Sequence, residues 1–166
     1  MSAIVTAATP EHYAAAKALM LEYRATSLAE DYAVGGCGLD EELASFPGPY
    51  APPSGFILLA TLDGVPCGCL ALRAFTHDAG EVMRMFVQPH ARGKGLAEQL
   101  MRALITKAPS MGYSTLNLDS LHRFKAAHKL YEKLGFTYCE PYNPEMADKR
   151  DHMVFMRLPL AASVAA

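Results

Sequence analysis

The sequence predicts an α/β (α+β) sandwich built around one mixed sheet. Three observations predict it. Short β-prone runs alternate with helical patterns along the chain. Asp63-Gly64 joins two apolar runs in the manner of a hairpin turn. Residues 81–97 read, in order, as a strand, a glycine-bearing turn and an amphipathic helix.

Taken in order, Ile4 to Thr6 is a β-prone start. Thr9-Pro10-Glu11 opens a helix, with Thr9 as N-cap and Pro10 at the first helical position. Tyr13, Ala16, Met20 and Tyr23 make its inward stripe. Residues 27–55 are irregular: Gly35-Gly36-Cys37-Gly38 is a breaker, residues 47–53 form a proline-rich rigid loop, and Asp40 to Phe46 is a short helix between them. A long loop inside a compact domain is often functional. Phe56 to Leu62 is a buried strand, Val65 to Phe75 its return, and Thr76 to Gly80 the next turn. Val82 to Val87 is a strand broken only by Arg84, and Pro89, which lacks an N–H, ends it. Leu96, Leu100, Leu104 and Ala108 form one helical row with Ala97, Met101 and Ile105 beside it, and Pro109 and Gly112 stop the helix. Thr115 to Leu118 is a strand. Phe124, Ala127, Tyr131 and Leu134 are a helical stripe closed by Gly135. Phe136 to Cys139 and Met153 to Leu158 are the last strands, joined by a loop from Pro141 to Asp151. Residues 1–166 read as a single domain, with a frayed tail over Ala161 to Ala166.

The composition, 51% hydrophobic and 19% charged, supplies enough apolar mass for a core. A formal net charge of -2 argues against non-specific nucleic-acid binding. The N-terminus has no basic region followed by an apolar run, and no stretch approaches the ~20 apolar residues of a membrane span. The expectation is a cytoplasmic protein with neither nucleic-acid nor membrane partners. Cys37, Cys67, Cys69 and Cys139 contain no Cys-x-x-Cys pair and no metal-ligand spacing, so no metal is expected. Cys67 and Cys69, two apart on a strand, are expected on one face as small buried hydrophobes.

The chemistry starts at the glycine turn. The first N–H groups of a helix lack internal partners, and the helix dipole leaves partial positive charge there. Glycines at 93 and 95 remove the Cβ atoms that would hold an anion away, while Arg92 and Lys94 add charge. The turn reads as a phosphate cradle. Glu98 stands where a dinucleotide fingerprint needs its third glycine, and no Gly-Lys-Ser/Thr occurs for a P-loop.

Val87-x-Pro89-x-x-Arg92-Gly93-Lys94-Gly95-Leu96-Ala97 resembles the acetyl-CoA pyrophosphate motif of the GNAT superfamily of N-acetyltransferases. Leu130-Tyr131-Glu132-Lys133-Leu134-Gly135-Phe136 resembles that superfamily's second signature, in the right order and at about the right spacing. His90 departs from the Gln or Arg often found at the motif's opening. The resemblance spans Ile4 to about Leu160. It implies a mixed, mostly antiparallel central sheet with helices on both faces and a splayed strand pair, the strand ending at Val87 parting from the strand at Thr115 to Leu118. The pantetheine arm of acetyl-CoA would lie in that V, bonded to the backbone at Met85, Phe86 and Val87 like an added strand. The pyrophosphate would meet Arg92, Gly93, Lys94, Gly95, Leu96 and Ala97, and Lys125 with Arg123 would reach the 3′-phosphate.

The same resemblance assigns Tyr131 as the acid that protonates the leaving thiolate, since a phenol near pKa ~10 is protonated at neutral pH. It offers Glu81 as the base, the alternative being a strand-edge glutamate partnered by Arg84 or solvent. A backbone N–H near Val87 would polarise the thioester carbonyl. Asp119, Ser120 and His122 could line the cleft. Arg24, Glu30 and Asp31 could select charge on the acceptor. The implied activity is transfer of acetyl from acetyl-CoA to a primary amine of a small molecule. Other implied readings are another acyl-CoA donor, a protein amine as acceptor, or a non-catalytic acyl-CoA-binding regulatory module; a homodimer is compatible with all of them.

Overall fold

The protein is described by a computed structural model over residues 1–26 and 38–162. Among the described residues seven strands make one sheet: β1 (Ser2–Thr6), β2 (Phe56–Leu62), β3 (Val65–Ala74), β4 (Ala79–Val87), β5 (Thr115–Leu121), β6 (Thr137–Cys139) and β7 (Met153–Pro159). Their order is β1-β2-β3-β4-β5-β7-β6. Only β4 and β5 run parallel; every other pair is antiparallel. The helices are α1 (Pro10–Thr26), α2 (Leu39–Ala44), α3 (Leu96–Lys107) and α4 (Lys125–Lys133). The mixed, mostly antiparallel sheet with a splayed pair is the one that the resemblance implies.

Alternation along the strands divides the core. Leu58, Leu70, Leu72 and Val82 pack on one face against Leu96, Leu100, Met101 and Leu104 of α3 and Tyr131 of α4. Ile57, Leu59, Ala71 and Phe86 pack on the other against Ala16, Leu19 and Met20 of α1 and Leu43 of α2. Thr9 caps α1, its Oγ1 accepting from the His12 N–H at 3.2 Å. Asp63 and Gly64, at φ 49° and 82°, make the hairpin turn between β2 and β3.

Two bulges reset the alternation. Ala60 pairs with Gly68 but Thr61 with Pro66, so Cys67 is an extra residue in β3. The expectation that Cys67 and Cys69 share a face is therefore corrected: Cys67 joins the α3 side and Cys69 the α1 side. In β4, Cys69 pairs with Phe86 but Ala71 with Met83, so Arg84 and Met85 together oppose Leu70. Arg84 takes a left-handed φ of 58° there. A bulge bends its strand and adds twist. Accordingly β4 and β5 pair only from Ala79–Thr115 to Glu81–Asn117, and no further pair joins them among the described residues.

The short helix expected over Asp40 to Phe46 lies at Leu39–Ala44, and the strand expected to end at Leu118 continues to Leu121. Gly35, Gly36, Cys37, Glu30, Asp31 and the last four residues of the tail lie outside the described residues. Among the described residues no helix is long and apolar enough to cross a membrane.

Candidate active site

Where β4 and β5 part, a cavity of about 980 Å³ opens between them. Its wall takes in Met85, Phe86 and Val87 from β4, Leu118, Asp119 and Ser120 from β5, Tyr131 and Lys125 from α4, and Arg92 and Ala97, which bracket the glycine turn. Most site residues expected from the sequence thus meet in one cleft.

The turn has the conformation that its glycines imply. Gly93 and Gly95 sit at φ 74° and 75°, where a side chain would be strained. A Cβ on Gly93 would meet no protein atom within 4 Å, and one on Gly95 only Gln99 Nε2 at 3.9 Å. Gly95 is the N-cap of α3, and no side chain caps it. Uncapped amides, open space above two glycines and an unpaired edge of β4 together fit a diphosphate followed by an extended arm, the outline of acetyl-CoA. Leu96 turns its side chain into the core at 2% exposure, which leaves its backbone for the cradle. Lys94 is exposed. Arg92 is turned back: its Nε donates to the Val87 carbonyl at 2.9 Å, bracing the end of β4. Glu98 ties the first turn of α3 to the last turn of α4, accepting from Lys133 Nζ at 2.7 Å and from Arg102 Nη2 at 2.8 Å.

Tyr131 lies on the α3 side of the sheet at 6% exposure, its ring 5.9 Å from that of Phe136. Burial pushes its phenol up, and the neighbouring Tyr23 and Asp119 add to the effect, so it stays protonated throughout the neutral range.

Across the sheet lies a feature that the sequence did not announce. Glu42 of α2 takes a forked pair of hydrogen bonds from Arg84, Nε to Oε2 and Nη2 to Oε1, both at 2.9 Å. Tyr50 donates to Glu42 Oε2 at 2.6 Å. Arg73 Nη1 lies 3.3 Å from Glu42 Oε1. Arg73 also holds Glu81 Oε1, through Nε at 2.8 Å and Nη2 at 2.6 Å. Glu81 is therefore partnered by Arg73 rather than by Arg84, because the β3–β4 register sets Arg73 directly opposite it. Tyr142, from the 141–151 loop, donates to Glu81 Oε2 at 2.8 Å and lies 3.5 Å from Asp119 Oδ2. Its ring packs edge-on against Phe75 and Phe155. Burial, and then the Asp119 and Glu81 charges, push the Tyr142 phenol far up. Burial and the Glu81 charge push the Asp119 carboxyl up to about 6, against the opposing pull of Arg73 and the Tyr142 hydrogen bond.

Glu42, Tyr50, Arg73 and Tyr142 were missed because six separate segments supply the network. One sequence signal was present: Arg84 is the only charge inside an otherwise apolar strand run. His122 is exposed, its Nε2 3.1 Å from the Arg150 carbonyl. Ser120 is buried and bonded to His128 Nε2 at 3.1 Å. Arg24 pairs with Asp40 at the rim.

Residues 15–136 match the family described as Acetyltransferase (GNAT) family. An uncharacterized N-acetyltransferase of Schizosaccharomyces pombe is 35% identical over 127 residues, 74% of this chain and 75% of that protein. The N-acetylaspartate synthetase of Rattus norvegicus is 38% identical over 104 residues, which are 61% of this chain but 35% of that longer protein. Among solved structures, a candidate acyl-CoA N-acyltransferase from Klebsiella pneumoniae superposes with a TM-score of 0.73 at 26% identity, covering 97% of this chain and 99% of that one. The yncA protein of Salmonella typhimurium, solved with its cofactor acetyl-CoA, superposes with a TM-score of 0.67 at 21% identity, covering 99% of this chain and 96% of that one.

Proposed function

Since the chain belongs to the acetyltransferase (GNAT) family and is an acyl-CoA-dependent acyltransferase, we propose that it moves acetyl from acetyl-CoA to a primary amine of a small molecule. The parting of β4 from β5 carries this reading, because it opens one passage to both faces of the sheet. The glycine turn and Tyr131 lie at the α3 side, and the carboxylates Glu81 and Asp119 at the other. Acetyl-CoA supplies an acetyl group activated as a thioester.

The chain's residues divide the remaining work. The amides of Gly93 to Ala97 hold the diphosphate, with Lys94 adding charge and Lys125 at the rim for the 3′-phosphate. The free edge of β4 at Met85, Phe86 and Val87 aligns the arm and offers an N–H to the carbonyl. Tyr131 gives its proton to the sulfur as the C–S bond breaks and the C–N bond forms. A carboxylate at the acceptor side, Glu81 or Asp119, receives a proton from the amine.

The experiment is calorimetry with coenzyme A, followed by thiol release from acetyl-CoA across a panel of amines. Binding and amine-dependent release are expected. Absence of CoA binding would overturn the reading, and binding without release to any amine would favour an acyl-CoA-binding regulatory module.

A further inference from the structure

We propose that Asp119 is the group that receives the acceptor ammonium and takes its proton, with Glu81 and Tyr142 acting as positioning residues. This rests on the acetyl-transfer reading above. Among the described residues, the hydrogen-bonded network at this side of the cleft joins three carboxylates, Glu42, Glu81 and Asp119, to two guanidiniums, Arg73 and Arg84, so one carboxylate of the network has no guanidinium of its own. Glu42 is not the unmatched one, because Arg84, Arg73 and Tyr50 occupy both of its oxygens. Nor is Glu81, at 2% exposure, with Oε1 held twice by Arg73 and Oε2 held by Tyr142. Asp119 has only the long 3.5 Å contact to Tyr142 and no ion pair with Arg or Lys among the described residues, yet it lines the cavity.

A partly buried carboxylate without a cation is costly, and an incoming ammonium supplies the missing charge. Burial and the Glu81 charge put Asp119 near 6, a better base at neutral pH than an ordinary carboxylate. The groups that set its protonation are Glu81 and Arg84 on β4, Arg73 on β3, Tyr142 on the loop and, from α4, Tyr131. The protons balance. The ammonium gives one to Asp119, which passes it to solvent. As nitrogen bonds to the acetyl carbon, its second proton makes good the one that Tyr131 gives to sulfur.

The pH dependence of kcat/KM tests this assignment. Wild type should lose activity as pH falls through about 6, because protonated Asp119 can accept nothing. Asp119→Asn should abolish that limb and lower kcat by about 10²–10⁴-fold, with CoA affinity by calorimetry within about twofold. Added formate should restore part of the turnover of Asp119→Ala. Glu81→Gln should keep the limb but move it to lower pH, since a negative neighbour is gone. Tyr142→Phe should keep it and move it to higher pH, since a hydrogen bond to the charged form is lost. An unaltered limb in Asp119→Asn, or a limb abolished by Glu81→Gln, overturns the assignment while leaving the acetyltransferase reading in place. A wild type that binds CoA and transfers to no amine overturns both.

Discussion

The two sides of the cleft are built from opposite materials. On the α3 side the exposed groups are backbone: two left-handed glycines, an uncapped helix N-terminus and, among the described residues, an unpaired strand edge. On the α1 side it is charge: Glu42, Arg73, Glu81, Arg84 and Asp119 knitted through Tyr50 and Tyr142. Backbone positions come from consecutive residues and tolerate side-chain change. A charge network assembled from distant segments does not, since losing one member strands its partners in a partly buried site. The difference suggests where a cofactor common to many reactions is held and where a particular acceptor is chosen.

The largest test acts at the boundary between them. Tyr131→Phe should lower kcat by about 10²–10⁴-fold while CoA affinity stays within about twofold. Equal losses in both would mean that the phenol belongs to the anchoring surface and would blur the division. Next, Glu42→Ala should cost about 3 kcal/mol in urea unfolding, because Arg84 and Arg73 lose their shared carboxylate. A cost below about 0.5 kcal/mol, the level of an exposed pair, would show that the network is ornamental.

Asp119 makes a subtler prediction. Its carboxyl is raised from 3.8 to about 6 in the fold. Between those values the native state keeps a proton that the unfolded chain has released, so the stability that this group adds is lost as pH rises through 6. Asp119→Asn removes that loss. It should raise unfolding free energy above pH 6 by about 1–3 kcal/mol, while leaving stability near pH 4 unchanged. A variant no more stable than wild type at pH 8 would contradict the burial argument. The smallest contrast lies within the turn. Gly95→Ala, forced into a left-handed φ, should cost about 1–2 kcal/mol in stability or CoA affinity. Lys94→Ala should change CoA affinity by less than about fivefold, as exposed charges are worth little. The reverse ranking would make the α3 side charge-built after all.

Legibility followed the same division. The strand, glycine turn and helix from 81 to 97 could be read directly, since Gly93, Gly95 and the Leu96–Leu100–Leu104 row are local signals. The Asp63-Gly64 hairpin was readable for the same reason. The α1 side was not, because no periodicity places Glu42 beside Arg84, forty-two positions on, or Tyr142 beside Glu81, sixty-one positions on. Register across the sheet chose Arg73 as the partner of Glu81, and register is a tertiary fact. The two cysteines of β3 were misread for a related reason: the rule of alternate faces holds only until an extra residue is inserted.

The extra residue in β4 changes parity. Upstream of Arg84, Val82 is turned to α3 and Met83 to α1; downstream, Met85 and Val87 are turned to α3 and Phe86 to α1. Were Arg84 kept but drawn into regular alternation, the tail of the strand would invert, turning Phe86 to α3 and Met85 to the first helix; deleting Arg84 would instead leave a regular strand with these faces unchanged. Evolutionary change in this wall is therefore quantised. Substitution adjusts the lining of each compartment, but only a shift of register can exchange which compartment a given side chain serves.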